Sequence, residues 1–259
     1  MLIEKVYAAA QNDLEGLYIK DLIVGISFVG VQLSNDNVAF IYLMREKLPS
    51  GCSIFSYCEE MIGMKAIDCA KWAITGAEDL QRSLGCAVIN AANNYIRTTS
   101  STKNMDTLYE KISSEDTVGV IGHMPPLVKT LASRVKRYIS FDRAIEIQGS
   151  VEGASVYPVS MQSELLPQCD VVIITGTTMI NLTTDEIVKM CTNAREIALI
   201  GFSVPFYPLA YKDSGITAIS GIEFKNDCKE ELFKKISRGC GRLTLHEYGN
   251  GHFCRIIEQ

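Results

Sequence analysis

Val118-Gly119-Val120-Ile121-Gly122-His123-Met124-Pro125-Pro126-Leu127 decides the fold of this chain. A short, continuous apolar run that stops at a glycine reads as a buried strand. Two prolines just beyond it open a helix, because the first helical positions lose little when an N–H is missing. Strand, polar loop and helix then recur downstream. Residues 138–141, 171–175, 197–201 and 216–220 have strand character. Residues 125–135, 160–166, 183–193, 205–211 and 226–237 have helix character, the third opened by a Thr-Thr-Asp-Glu cap. Such alternation is the mark of a mostly parallel sheet with helices on both faces. Residues 243–248 and 253–257 are expected to close it as a hairpin.

Upstream the pattern changes. Residues 2–14 place Leu2, Val6, Ala10 and Leu14 near one helical face. Residues 22–33 form one strand-like run, Ser34-Asn35-Asp36-Asn37 a turn, and residues 38–44 a second strand, so a hairpin is expected. Helices follow over 56–62, 65–74 and 78–96. The polar stretch 97–116 marks a boundary, dividing the chain into a small α+β domain over 1–105 and an α/β domain over 106–259.

Composition narrows the partners. The 259 residues carry a formal net charge of -5, with 47% hydrophobic and 21% charged residues. That is an ordinary globular mix. It argues against nucleic acid, which is held by a clustered basic face; Arg134-Val135-Lys136-Arg137 is explained by a solvated helix end. No apolar run is long enough to span a membrane, and Glu4 and Lys5 interrupt any signal-like opening. A soluble, cytoplasmic protein is expected. The nine cysteines are odd in number and include no C-x-x-C pair, so they read as small buried apolar residues rather than a disulfide framework.

Ligands of open α/β sheets bind beyond the carboxyl ends of the strands, which selects four segments. Gly122 leaves the first strand and lets backbone approach a ligand, with the amides and positive end of the next helix behind it. His123 can donate a hydrogen bond, ligate a metal or move a proton, or merely cap its loop. Glu146, with Asp142 as the lesser candidate, occupies the region where nucleotide-binding folds place an acid against ribose hydroxyls; a solvated glutamate is the simpler reading. Thr175, Gly176, Thr177 and Asn181 offer hydroxyls and amides suited to a carboxylate, phosphate or polar ring. Ser203 is a second anion contact or a helix cap. In the first domain Asn90, a poor helix former in an apolar helix, is placed to face the other domain. His246, His252 and Cys254 form a set that suits a soft or borderline metal, although no second close pair accompanies them. G-x-S-x-G, H-E-x-x-H and a complete P-loop are absent, which disfavours the corresponding hydrolases and nucleotidases.

Three stretches carry a resemblance. Residues 118–127 (V-G-V-I-G-H-M-P-P-L), 166–184 (L-P-Q-C-D-V-V-I-I-T-G-T-T-M-I-N-L-T-T) and 88–94 (V-I-N-A-A-N-N) are similar to a domain family of unknown function catalogued as "putative heavy-metal chelation". The resemblance implies an enolase N-terminal-like domain followed by a Rossmann-like domain, with the active site in the cleft between them. It names no substrate, and His123 is the one obvious metal-type ligand within the matched stretches.

Three functions follow as expectations. The first is a small-molecule binding protein or enzyme with an interdomain cleft, linked to heavy-metal chelation or chelator metabolism. A small or anionic ligand is then the partner, and a transition metal or metal chelate the cofactor class. The second is a nucleotide- or S-adenosylmethionine-dependent enzyme, with Glu146 at the ribose and the Gly122 loop at the anionic or amino-acid part. The third is a non-catalytic partner protein. A homo-oligomer is compatible with all three, without a heptad or other interface signature to support it.

Overall fold

A computed structural model of the chain describes residues 1–44, 48, 55–98, 105–143, 149–151 and 154–256. Helix α1 (Leu2–Leu14) leads into an antiparallel three-stranded sheet, β1 (Ile19–Val24), β2 (Phe28–Leu33) and β3 (Val38–Tyr42), ordered β1-β2-β3. Helix α2 (Asp79–Ala92) packs its apolar stripe, including Leu80, Leu84 and Ala91, against β2 and β3. One expected strand is therefore two. The apolar run from 22 to 33 hides a turn at Gly25-Ile26-Ser27, closed by Gly25 N donating to Phe28 O at 2.9 Å.

The second half builds an eight-stranded sheet in the order β11-β10-β9-β8-β4-β5-β7-β6. Its strands are β4 (Thr117–Ile121), β5 (Arg137–Phe141), β6 (Gly149–Val151), β7 (Ala154–Tyr157), β8 (Val171–Thr175), β9 (Glu196–Ile200), β10 (Ala218–Phe224) and β11 (Gly249–Arg255). The run from β7 to β10 is parallel; β6 and β11 are antiparallel edges. The chain winds outward from β4 through β5 to β7, then returns to β8 and winds the other way. The order reverses between β4 and β8, as in doubly wound nucleotide-binding sheets.

Side chains alternate across the sheet, as a pleated strand requires. Val118, Val120, Val171 and Ile173 join a core under helix α3 (Pro125–Leu131). Ile121, Val172 and Ile174 join the opposite core, and this one is continuous with Leu84, Ile89 and Leu14 of the first half. The two halves thus share one apolar interior.

Several boundaries differ from expectation for local reasons. The long helix ends at Ala92 and restarts as Asn94–Thr98, because Asn93 is drawn out to bond the other half. Residues 205–211 supply only a 3-10 turn, Pro208–Tyr211. Residues 242–246 are helical rather than a strand, so β11 pairs with β10 instead of closing a terminal hairpin. The β6–β7 hairpin has too few apolar residues to announce itself.

Candidate functional site

The register aligns the strand ends. Ile121 sits opposite Ile174 and Phe141, Thr175 opposite Ile200, and Ile200 opposite Ser220. Gly122, Asp142 and Gly201 therefore leave the sheet along one line with Thr175 at the end of β8, and all four border a cavity of about 1330 Å³, as does Gly221 within β10. Ser27, Phe28, Tyr42 and Met44 of the first half form its facing wall. Phe28 meets Tyr42 edge-on at 5.9 Å and Phe202 at 5.8 Å, so this wall is aromatic. Phe28 and Tyr42 read in the sequence as ordinary β-strand residues of another domain.

At the switch between β4 and β8, Gly122 adopts φ +90°, which an L side chain rarely tolerates. A Cβ there would also lie 3.2 Å from Thr175 Cγ2. The backbone turn brings the His123 amide onto Asp142 Oδ2 at 2.6 Å. His123 borders the cavity, and its Nδ1 is buried without a hydrogen-bond partner. The helix behind it contributes less than the sequence suggested. Its first two residues are Pro125 and Pro126, which have no N–H, and it is seven residues long.

The Thr175 loop is a hydroxyl cluster. Thr177 Oγ1 donates to Thr175 Oγ1 at 3.3 Å, and Asn181 Oδ1 accepts from Thr183 Oγ1 at 2.6 Å. Both threonines and Asn181 border the cavity. Gly176 lets this loop close on its neighbour, for a Cβ would lie 2.7 Å from Val204 N. The deeper hydroxyl of Thr178 is used internally, donating to Thr175 O at 2.8 Å.

Two expected contacts also have partners within the protein. Ser203 borders the cavity but is buried, and its Oγ accepts from Tyr42 N at 3.3 Å, tying β3 to the loop after β9. Asn90 does face the other half, but outside the cavity lining: its Nδ2 reaches Phe202 O at 3.2 Å and Val204 O at 3.3 Å. Asn93, 1% exposed, repeats the contact by donating to Phe206 O at 2.8 Å. Glu146 lies outside the described residues. Asp142 is the acid seen at the strand end, 20 positions after Gly122 (142 − 122).

Metal-type donors are scattered. Among the described residues no group of three or more His, Cys, Asp or Glu is arranged to hold an ion. Burial pushes the Cys69, Cys86 and Cys191 thiols up to about 12 and Cys169 to about 11, away from the thiolate that binds soft metals. Cys169 and Cys191 instead donate to the carbonyls of Leu165 and Ile187, four residues earlier in each case. These residues do not fit a heavy metal held directly by protein side chains.

Comparison with known proteins agrees with this architecture. An uncharacterised protein of Methanocaldococcus jannaschii is 29% identical over 160 residues, 61% of this chain and 60% of that protein. The match thus spans less than two thirds of the relative's length. The crystal structure of a DUF364-family protein of unknown function from Pyrococcus horikoshii superposes with a TM-score of 0.78 at 20% identity, covering 99% of this chain and 100% of the other. One from Desulfitobacterium hafniense gives 0.77 at 19% identity, covering 98% of each. These likenesses establish the fold. No described helix is long and apolar enough to cross a membrane. Residues 7–93 match the profile of one family, DUF4213, and residues 104–254 that of another, DUF364, each described as "putative heavy-metal chelation"; the chain belongs to the DUF364 family, joined to its DUF4213 companion.

Proposed function

We propose that the chain binds a small organic molecule in the cavity between its halves and acts on it there. One observation carries this reading: the carboxyl ends of the parallel strands converge, at the reversal of strand order, on a cavity whose opposite wall is aromatic. A polar or anionic head suits Thr175, Thr177, Asn181 and His123. An apolar body suits Phe28 and Phe202. Mostly apolar clefts with a few convergent polar groups are the usual form of small-molecule sites. The first half is read as an enolase N-terminal-like cap over 1–105 and the second as a Rossmann-like domain over 106–259.

Heavy-metal chelation enters this reading through the ligand. Among the described residues the donors are too dispersed to hold a bare ion, whereas a chelate brings its own donors and presents a polar organic surface. Freshly purified protein examined by native mass spectrometry and elemental analysis tests this, followed by equilibrium dialysis against nickel or zinc, bare and as citrate chelates. Retention of an organic molecule or of the chelate, but not of the bare ion, is expected. Stoichiometric uptake of bare metal, or retention of nothing, sinks the reading.

A second reading is favoured by the strand order and by Asp142 at the end of the strand next to Gly122, where nucleotide-binding sheets place their ribose acid. It makes the ligand a nucleoside derivative such as S-adenosylmethionine. Calorimetry with adenosine-containing ligands decides: no heat at millimolar concentration removes it and leaves the first reading standing.

A further inference from the structure

The chain has three histidines, and His123, His246 and His252 all border the cavity. His123 belongs to the switch point and His246 stacks on Phe202, ring planes 20° apart. His252 differs from both. It is 6% exposed, it borders the cavity, and neither ring nitrogen makes an aligned hydrogen bond. The β10–β11 register sets it opposite Gly221, which also borders the cavity. A histidine kept only as an internal strut would normally satisfy both nitrogens, because burying an unpaired polar group is costly.

Its neighbours are ordered around one carboxylate. Glu223 lies two residues beyond Gly221 on β10, so its side chain shares a face with His252. Glu223 Oε2 is 3.4 Å from His252 Nε2, within ion-pair reach but off the line of a hydrogen bond. The other oxygen, Oε1, lies 3.5 Å from Arg97 Nη1. Arg97 comes from the first half and is itself fixed by Val38 O at 3.2 Å and Asn226 Oδ1 at 3.3 Å. The Phe206 ring covers the imidazole edge-on at 5.9 Å, and Cys254 follows on the same strand face.

We propose that His252 is a second proton-exchanging residue of the cleft, with Glu223 as its positioning carboxylate and Arg97 fixing Glu223; this rests on the cavity being a ligand site. The arrangement places the proton of neutral His252 on Nε2, facing Glu223, and leaves Nδ1 as the bare nitrogen. A ligand hydroxyl or amine at this end transfers its proton to Nδ1 and keeps the electron pair on its own oxygen or nitrogen. The imidazolium so formed holds Nε2–H toward Glu223, whose charge balances it. Such dyads are often slack before a ligand binds and tighten with it. The ligand class this implies is a molecule with a polar head at the Thr175 loop and an ionisable O–H or N–H group at the β10–β11 end.

Arg97 makes the test sharp. In Glu223→Gln the guanidinium selects the amide oxygen for the Oε1 position, which turns the NH2 group toward His252 Nε2. That nitrogen must then accept, and the ring proton moves to Nδ1. Long-range proton–nitrogen NMR of the ring nitrogens in the ligand-free protein is expected to show the Nε2–H form. In Glu223→Gln the Nδ1 resonance should move from the bare-nitrogen to the protonated region. An Nδ1–H form in the unaltered protein overturns the proposal without requiring any variant to fold. An unchanged tautomer in folded Glu223→Gln overturns the role of Glu223. Failure of the ligand reading would leave all these signatures in place, so the two can be told apart.

Discussion

The two ends of the eight-stranded sheet are built on opposite rules. At the amino ends, charge is matched to charge. Arg195 grips both oxygens of Asp116 at 3.0 and 2.6 Å, Asp170 accepts from Thr117 N at 2.8 Å, and Glu196 accepts from Arg255 and Thr217 at 2.8 and 2.7 Å. At the carboxyl ends short polar or titratable groups border the cavity, among them His123, Thr175, Thr177 and Asn181, with Asp142 beside them. Pairing at one end fixes how strands stack; open polar groups at the other are available to something that is not protein. The difference separates residues that hold the sheet from residues that use it.

Substitutions at the two ends should therefore fail differently. Arg255→Leu should have the largest effect, leaving the Glu196 carboxylate half-matched. The cost should be about 2 kcal/mol in urea unfolding, below the 3–5 kcal/mol of a fully buried pair, because the Arg255 side chain is 32% exposed. Ligand retention should not change. Gly122→Ala should break the rule from the other side. The strained φ costs roughly 1–2 kcal/mol, and the new methyl presses on Thr175, so stability and ligand retention should fall together. A stable variant that retains ligand would show that the turn is not tied to the site.

The acid limb of stability belongs to the amino ends. The hydrogen bonds from Arg195 hold the Asp116 carboxyl below its ordinary range. For Glu196, burial pushes upward, but hydrogen bonds from Arg255 and Thr217 outweigh it. A carboxyl depressed in the folded state stabilises above its unfolded value, about 4 for these groups, and that contribution disappears as pH falls through the folded value. Asp116→Asn should lower the thermal midpoint at neutral pH and flatten its decline below about pH 4. The effect should be modest and should shrink with salt, since the Arg195 side chain is 47% exposed. Smallest of all in stability should be Thr177→Val and His123→Ala, within about 0.5 kcal/mol. Each should still weaken ligand retention by up to about tenfold, the worth of one hydrogen bond. A loss of stability above that range would move these residues to the structural class.

Much of this was legible in the chain, and the misses share a cause. The alternation from residue 118 onward gave the parallel sheet, and the strand-end rule placed Gly122, His123, Thr175, Thr177 and Asn181 at one cavity. Strand ends are local, so sequence can find them. Partners that lie far apart along the chain are not local. The partners of Asn90 Nδ2, Phe202 O and Val204 O, lie more than a hundred residues away, so the sequence places Asn90 toward the other half without naming what it meets there. His252 reads in sequence as one of three candidate metal ligands because its link to Glu223 needs β11 to lie against β10, whereas the sequence suggests residues 243–248 as its partner strand. The end of the strand expected over 138–141 coincides with that of β5, which puts Asp142 just beyond it.

The shared interior and the asparagine clips have a mechanical consequence. Many two-domain proteins open and shut on a ligand by a hinge between domains that touch lightly. Here Leu14, Ile89, Ile174 and Ile219 belong to one uninterrupted apolar cluster, and Asn90 and Asn93 pin the backbone after β9 to α2. Swinging the halves apart would expose that interior and break those bonds together. The two walls of the cleft are consequently expected to stay together, so that melting occurs in a single step and a ligand enters without a swing of one half against the other.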